Sequence, residues 1–412
     1  MEMKRLLTRT YRWEYFWLCV IVVATLACHF IIVNQVHELI LDEQHYVKDA
    51  RYIIENHQTE RQEHPPLGKL LIVAGIKIFG DNPMGWRFFP IVCGTASIVL
   101  FYFLCRRLDM SRETSNIATF LLAFENLTFL QASVAMLDVF LLPFMIGAFL
   151  LYMNRKYISS GIFIGLSALA KLDGALAAPV IFIHWVFSRQ RRSWWFFLAA
   201  FFSILAFVEL MIPLDYLITR SFHNLADPLH RIQTMLSLTG SLTFANVQHP
   251  NLSRPWEWLI SYKPMAYYIM PHYTAAISFS IFALAIPSVG YMIYKAARRS
   301  EAGLFGLAWF AGTFIVMCIL SVVTNRASYP FYFYPVVGAI CIGVALFLAD
   351  LLAYFRRKQY GKLKWTAFSI VIFILVAHLI SFLILSPLIP VDFAKLPPYF
   401  ASLTTIVNFP VL

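Results

Sequence analysis

Two short segments hold most of the chemistry available to this 412-residue chain. Leu41-Asp42-Glu43-Gln44-His45 sets two carboxylates side by side, and His64-Pro65-Pro66-Leu67-Gly68-Lys69 follows downstream. Neighbouring residues on a helix point about 100° apart, so one carboxylate aims at a given bond while the other supports it. A partly dehydrated carboxylate is a stronger base, suited to take a proton from an acceptor hydroxyl. The plain alternative is a solvated loop or an acidic pair at a helix N-terminus. The two prolines hold an extended entry and then allow a helix to begin, which puts Lys69 in its first turn. There the helix dipole does nothing for a cation, and a phosphate is a natural partner. A lysine reaching from an interfacial helix to water is the alternative.

Other charges stand near apolar runs. Asp138, in Gln131-Ala-Ser-Val-Ala-Met-Leu-Asp138-Val-Phe-Leu-Leu-Pro143, opens an apolar segment where a carboxylate is expensive without a partner. It either caps that helix or shares a site with Asp42. Lys171 and Asp173 form a local ion pair or reach a phosphate, and Arg326 in Thr324-Asn-Arg-Ala-Ser328 is a further phosphate ligand by type. Glu125 and Asn126 are weaker candidates. Gln248-His249-Pro250 through Ser253-Arg254-Pro255-Trp256-Glu257-Trp258 and Lys263-Pro264 make a stiff amphipathic surface. His249 and Trp256 there suit stacking on a sugar ring, or anchoring at lipid headgroups. His37, His45, His64, His249 and His272 show no short metal-ligand spacing, so a zinc site is not expected. The residues fix no certain cofactor, and a divalent ion, with Asp42 and Asp138 as its ligands, is the open alternative.

These groups must be positioned by a membrane framework. Of the residues, 60% are hydrophobic and only 13% charged, with mean hydropathy +0.68. Crossing ~30 Å of hydrocarbon takes roughly 20 apolar residues, and segments near 16–34, 84–105, 114–130, 137–153, 158–172, 174–188, 194–212, 273–294, 303–323, 330–349 and 365–386 are apolar. The reading is an all-α polytopic membrane protein of about eleven spans, with 158–172 and 174–188 as a tight hairpin. Residues 67–79 are too few to cross and lie in the interface or re-enter. Basic clusters Lys4/Arg5/Arg9/Arg12, Arg106/Arg107/Arg112, Arg155/Lys156, Arg189/Arg191/Arg192, Lys295/Arg298/Arg299 and Arg356/Arg357/Lys358/Lys362/Lys364 then share one side. That is the cytoplasmic side, with the N-terminus, by the positive-inside rule. It accounts for the net charge of +11 without nucleic-acid binding. The other side carries segment 35–83, the long loop 213–272 and the tail after Pro387. The first span has no cleavage site and reads as a retained anchor. Cys19, Cys28, Cys93, Cys105, Cys318 and Cys341 sit in or beside apolar spans as buried hydrophobes.

Asp42-Glu43 with His64-Pro-Pro-Leu-Gly-Lys69 resembles the first outer loop of dolichyl-phosphate-mannose protein O-mannosyltransferases, polyprenyl-phosphate-sugar-dependent enzymes of the type C glycosyltransferase fold. The likeness continues through Trp86-Arg87-Phe-Phe-Pro90 with Gly94, Leu137-Asp138, Gly165-Leu-Ser-Ala-Leu-Ala-Lys171, the His249-to-Pro264 loop and Tyr332-Phe-Tyr-Pro335. It implies one transmembrane domain, 1–412, whose outer loops carry juxtamembrane helices. It also implies transfer of a sugar, mannose by the resemblance, from a polyprenyl-phosphate donor to a protein Ser/Thr hydroxyl, with inversion. Asp42 would be the base, with Glu43 beside it. Lys69, with Lys171 or Arg326, would hold the donor phosphate, and Asp138, His64, His249 and Trp256 would shape the site. Loop 213–272 is too short for the β-trefoil domain of eukaryotic members, which suits a bacterial or archaeal plasma-membrane protein and leaves a lipid or glycan acceptor as the rival. A lipid-linked-sugar transporter or flippase is the rival of another class. It needs ionisable residues at mid-membrane, whereas here they gather at one lip.

Overall fold

The structure, a computed structural model, describes residues 14–188, 192–221, 228–357 and 362–389. Lys4, Arg5, Arg9, Arg12, Arg189, Arg191, Lys358 and the tail beyond Ile389 lie outside the described residues.

In chain order the helices begin with α1 (Phe16–Ile32), α2 (Glu43–Asn56), α3 (Pro66–Phe79), α4 (Pro83–Arg107), α5 (Arg112–Ala123), α6 (Asn126–Gln131), α7 (Leu137–Met153) and α8 (Tyr157–Ala170). They continue with α9 (Ala177–Phe187), α10 (Phe196–Thr219), α11 (Pro228–Ser241) and α12 (Glu257–Ile260). A hairpin of β1 (Met265–Tyr268) and β2 (Tyr273–Ala275) precedes α13 (Phe279–Ala297), α14 (Glu301–Phe310), α15 (Val316–Thr324), α16 (Val337–Arg357) and α17 (Lys362–Leu385).

Among the described residues, six helical stretches are long and apolar enough to cross a membrane: Pro83–Arg107, Phe196–Thr219, Phe279–Ala297, Glu301–Thr324, Pro330–Arg356 and Trp365–Leu385. Phe16–Ile32, Leu137–Met153, Tyr157–Ala170 and Leu172–Phe187 are shorter apolar helices. The chain is an integral membrane protein. The span expected at 114–130 is instead α5 and α6, parted at Glu125. That buried carboxylate accepts bonds from the Thr128 amide (2.7 Å), the Thr128 hydroxyl (2.9 Å) and the Ser278 amide (2.9 Å), which turns the chain at α6.

Leu137–Met153 is apolar around its whole circumference and almost every residue is buried, as expected of a helix at the centre of a bundle. α4 and α8 pack against it, and α8 packs in turn on α10. Gly161 and Gly165, four apart, set that last seam. A Cβ at Gly161 would come within 2.5 Å of the Ala199 carbonyl, and one at Gly165 within 2.9 Å of Ala206 Cβ. Small residues at this spacing let helices approach closely in lipid. α9 packs instead on α14 and the π-helical turn Ala311–Ile315. The tight α8–α9 hairpin therefore does not form, because Lys171 is extended and a 3-10 turn at Leu172–Leu176 separates the helices.

The helix entering the long loop runs through Pro213 to Thr219, and the helix leaving it begins at Phe279. The loop is therefore shifted to 220–278. Residues 33–82 hold α2 and α3 at the same end of the bundle.

Candidate active site

Arg87, wholly buried on α4, organises the first loop. Its guanidinium donates to the carbonyls of Val33 (2.9 Å), Val36 (2.8 Å) and Glu38 (3.2 Å) and to both Glu43 oxygens (2.9 and 2.8 Å). Those oxygens also accept from the amides of Ile40 (2.9 Å) and Ala135 (2.8 Å). Glu43 is thus fully engaged behind the loop and does not line the cleft. Expected as a catalytic partner, its carboxylate is instead taken up by Arg87 and the two amides. The same clamp forces Leu41 to φ 44°, a left-handed conformation that costs a bulky residue about 1–3 kcal/mol.

Asp42 follows at the N-cap of α2, yet its side chain makes no capping bond. Its carboxylate faces a cleft of about 460 Å³ shared with Arg61, His64, Lys171, Arg326 and Tyr332. Burial first, and then the Asp138 charge, push its pKa up to about 6 against the pull of Lys171 and Arg61.

Lys171 sits at the cleft floor. Its ammonium donates to Asp138 Oδ1 at 2.6 Å, lies 3.5 Å from Asp173 Oδ2 and stands 4.4 Å from the Tyr332 ring centroid. Asp138 Oδ2 is buried without a hydrogen bond. Arg326, placed by a bridge to Thr243, lines the cleft together with Tyr332. His64 Nε2 is 3.4 Å from the Tyr46 hydroxyl, and burial with four surrounding cations holds its pKa well below the usual histidine value, so it is neutral. His249 stands on the rim, its Nδ1 accepting from the Asn251 amide at 3.1 Å.

Three residues fall elsewhere than expected. Lys69 is fully buried and donates to Thr59 Oγ1 (2.7 Å) and the Arg61 carbonyl (2.9 Å), with Asp49 Oδ2 at 3.7 Å. Burial lowers its pKa to about 8, opposed by Asp49. It braces the turn that presents Arg61 and does not reach the cleft. Trp256 is 40% exposed and neighbours Arg254 (5.9 Å) away from the cleft. Asn126 donates to the carbonyls of Thr274 (2.8 Å) and Ala276 (3.0 Å), pinning the end of β2.

Sequence reasoning passed over Arg61, whose Nη2 meets His45 Nδ1 at 2.5 Å, and the Tyr332 ring above Lys171. The charged run Glu60-Arg61-Gln62-Glu63 before His64-Pro65 was the available signal. Arg231 of α11 holds the same segment through the carbonyls of Gln62 (2.7 Å) and His64 (3.2 Å). Among the described residues no cluster of three or more His, Cys, Asp or Glu is arranged around a metal position. Asp42 and Asp138 do not fit a resident divalent ion, because Lys171 already occupies the cation position on Asp138.

Residues 63–212 match the family model for dolichyl-phosphate-mannose-protein mannosyltransferase. A Mycolicibacterium smegmatis protein named polyprenol-phosphate-mannose–protein mannosyltransferase is 33% identical over 165 residues, 38% of this chain and 30% of that protein. One of the same name from Corynebacterium glutamicum is 24% identical over 408 residues, covering 76% of this chain and 77% of the relative. In structure, the chain is similar to the S. cerevisiae protein O-mannosyltransferase Pmt1-Pmt2 complex bound to the sugar donor, with TM-score 0.75, 10% identity, and 91% and 90% of the two chains covered. By the matched segment and by its fold, the chain is similar to the protein mannosyltransferases. Its match spans about 30% of the length of the mycobacterial relatives. The type C glycosyltransferase fold extends over 91% of the mannosyltransferase-like chain.

Proposed function

We propose that this mannosyltransferase-like protein moves a mannosyl residue from a polyprenyl-phosphate donor to a Ser or Thr hydroxyl of a protein, within one transmembrane domain spanning 1–412. The observation that carries the reading is the uncapped Asp42 carboxylate opening into a cleft with Lys171, Arg326 and Arg61. Asp42, ionised above about pH 6, takes the acceptor proton. The freed oxygen forms a bond to the anomeric carbon as the bond from that carbon to the phosphate oxygen breaks, inverting the centre. The electron pair leaves with the polyprenyl phosphate, whose charge the three cations receive. A phosphate is a good leaving group, so no second carboxylic acid is needed to protonate it. His64, neutral, and His249 at the rim shape the acceptor side. Glu43 and Lys69 act one layer behind, on Asp42 and Arg61.

The membrane orientation belongs to the same proposal. Arg106, Arg107, Arg112, Arg155, Lys156, Lys295, Arg298 and Arg299 cluster at helix ends away from the cleft-lining segments, which supports a cytoplasmic N-terminus and an outward cleft in a bacterial or archaeal plasma membrane.

The test is incubation of the purified protein with polyprenyl-phosphate-mannose and Ser/Thr peptides, followed by mass spectrometry. A mannosylated peptide is expected. Consumption of donor with sugar appearing only on added glycolipid or glycan would instead select the other acceptor class, and no donor consumption would sink the activity.

A further inference from the structure

Four consecutive carbonyls, from Arg61 to His64, are each held by a side chain of another element. Lys69 of α3 donates to Arg61 O at 2.9 Å, and the His64 amide closes the turn on the same oxygen at 3.2 Å. The other three are held from α11: Arg231 donates to Gln62 O (2.7 Å) and His64 O (3.2 Å), and Thr239 Oγ1 donates to Glu63 O (3.1 Å). These partners lie 167 to 176 residues further along the chain, in the long loop. Residues 61–64 are exposed or half-buried, so water would satisfy their carbonyls. Side chains ordered onto every one of them, at an entropic cost, fix where the turn stands.

The support is itself anchored. Arg231, Met235 and Thr239 recur every four residues and share one face of α11, with Met235 fully buried between the two donors. Asp215 of α10 orients the Arg231 guanidinium from behind, Nε to Oδ2 at 3.4 Å, and leaves both terminal nitrogens to the carbonyls. Just past α11 the chain is tied again, with the Phe244 amide on Asn325 O (3.0 Å) and the Ala327 amide on Leu242 O (2.9 Å). What the turn presents to the cleft is Arg61. Its side chain is 37% exposed, 3.7 Å from Glu63 and in contact with His45, so the backbone rather than enclosing packing decides where the guanidinium stands.

We propose that Arg231 and Thr239 are positioning residues for the anion site of the cleft: they fix the backbone of the 61–64 turn, and through it the Arg61 guanidinium that meets the phosphate of a polyprenyl phosphate. This rests on the reading of the cleft as a site for a polyprenyl-phosphate donor. Neither residue touches the ligand, and each acts by sparing Arg61 the cost of being ordered when the phosphate arrives. Lysine is a poor substitute for Arg231, because a single ammonium cannot span two carbonyls and Asp215 as a planar fork does.

The test is the affinity of the purified full chain for polyprenyl phosphate, without sugar, in a double-mutant cycle. Arg231→Met should weaken binding about tenfold, with Arg231→Lys recovering only part of the loss and Thr239→Val costing about threefold. In an Arg61→Met background, Arg231→Met should cost less than about twofold, because the group it positions is gone. An arginine that serves only the fold would weaken binding by the same factor in both backgrounds. That result overturns the proposal, and so does wild-type affinity in Arg231→Met. Should the methionine variant not fold, Arg231→Lys and Thr239→Val carry the same cycle against Arg61→Met. Transfer is read separately: a wild type that binds polyprenyl phosphate and shows the cycle but moves no mannose loses the activity and keeps the positioning role. Mannosyl transfer by wild type with equal losses in the two backgrounds does the reverse.

Discussion

At the scale of single residues, the cleft separates groups by where their hydrogen bonds go. Adjacent in sequence, Asp42 and Glu43 are opposite in situation: one makes no capping bond and faces the cleft, the other spends every lone pair on Arg87 and two amides. Residue type alone could not decide between them, because the decision is made by Arg87 and Ala135, far away in sequence. Lys171 illustrates a second distinction, between a structural ion pair and a phosphate ligand. Replacing it with Met strands Asp138, which is 2% exposed, and should destabilise the protein by about 3–5 kcal/mol. The double variant Lys171→Met/Asp138→Asn removes the stranded charge. Unfolding measurements should show most of the stability restored, while the transfer assay shows activity still lost. Restored activity in that pair would mean Lys171 serves only Asp138.

At the scale of elements, the first loop is a frame made of α2, α3 and the 57–65 turn, held by two buried cations. Arg87 ties α4 to the residues before α2, and Lys69 ties α3 to the turn carrying Arg61. Arg87→Ala leaves Glu43 buried and unpaired, with a cost of about 3–5 kcal/mol visible as a lowered unfolding midpoint. Lys69→Met should act differently: donor KM rises as Arg61 loosens, and the pH dependence set by Asp42 does not move. A shifted pH profile in Lys69→Met would place that lysine in direct contact with the reaction. The helices themselves were readable in the sequence, since apolar runs at 137–153, 303–323 and 365–386 fall almost on α7, α14–α15 and α17. What was not readable was where polar bonds interrupt them. Glu125 cuts the 114–130 run into two helices by collecting amides from Thr128 and Ser278, and an extended Lys171 keeps α8 and α9 from folding onto one another.

At the scale of the whole molecule, ionisable chemistry gathers at one end of the bundle and basic helix termini at the other. The motifs Asp42-Glu43 and His64-to-Lys69 lie at the end of the bundle that holds the cleft, but their side chains divide between the cleft and its supporting frame, and that division depends on packing from α4, α7 and α11. The proposed orientation predicts that a cysteine placed at exposed Gln44, in a background without native cysteines, reacts with a membrane-impermeant maleimide added outside intact cells. Labelling only after lysis would invert the topology and move the reaction to the cytoplasmic face. The central claim is that Asp42 is the base, and its most direct test is the pH dependence of kcat/KM for mannosyl transfer by wild type and Asp42→Asn. A raised carboxyl pKa means the group is protonated and idle in acid, so wild-type kcat/KM should climb about tenfold per pH unit below about pH 6 and level off above it. Asp42→Asn should run at least about 100-fold slower and lack that inflection. Transfer by Asp42→Asn at the wild-type rate, or the same inflection persisting in it, would contradict the account.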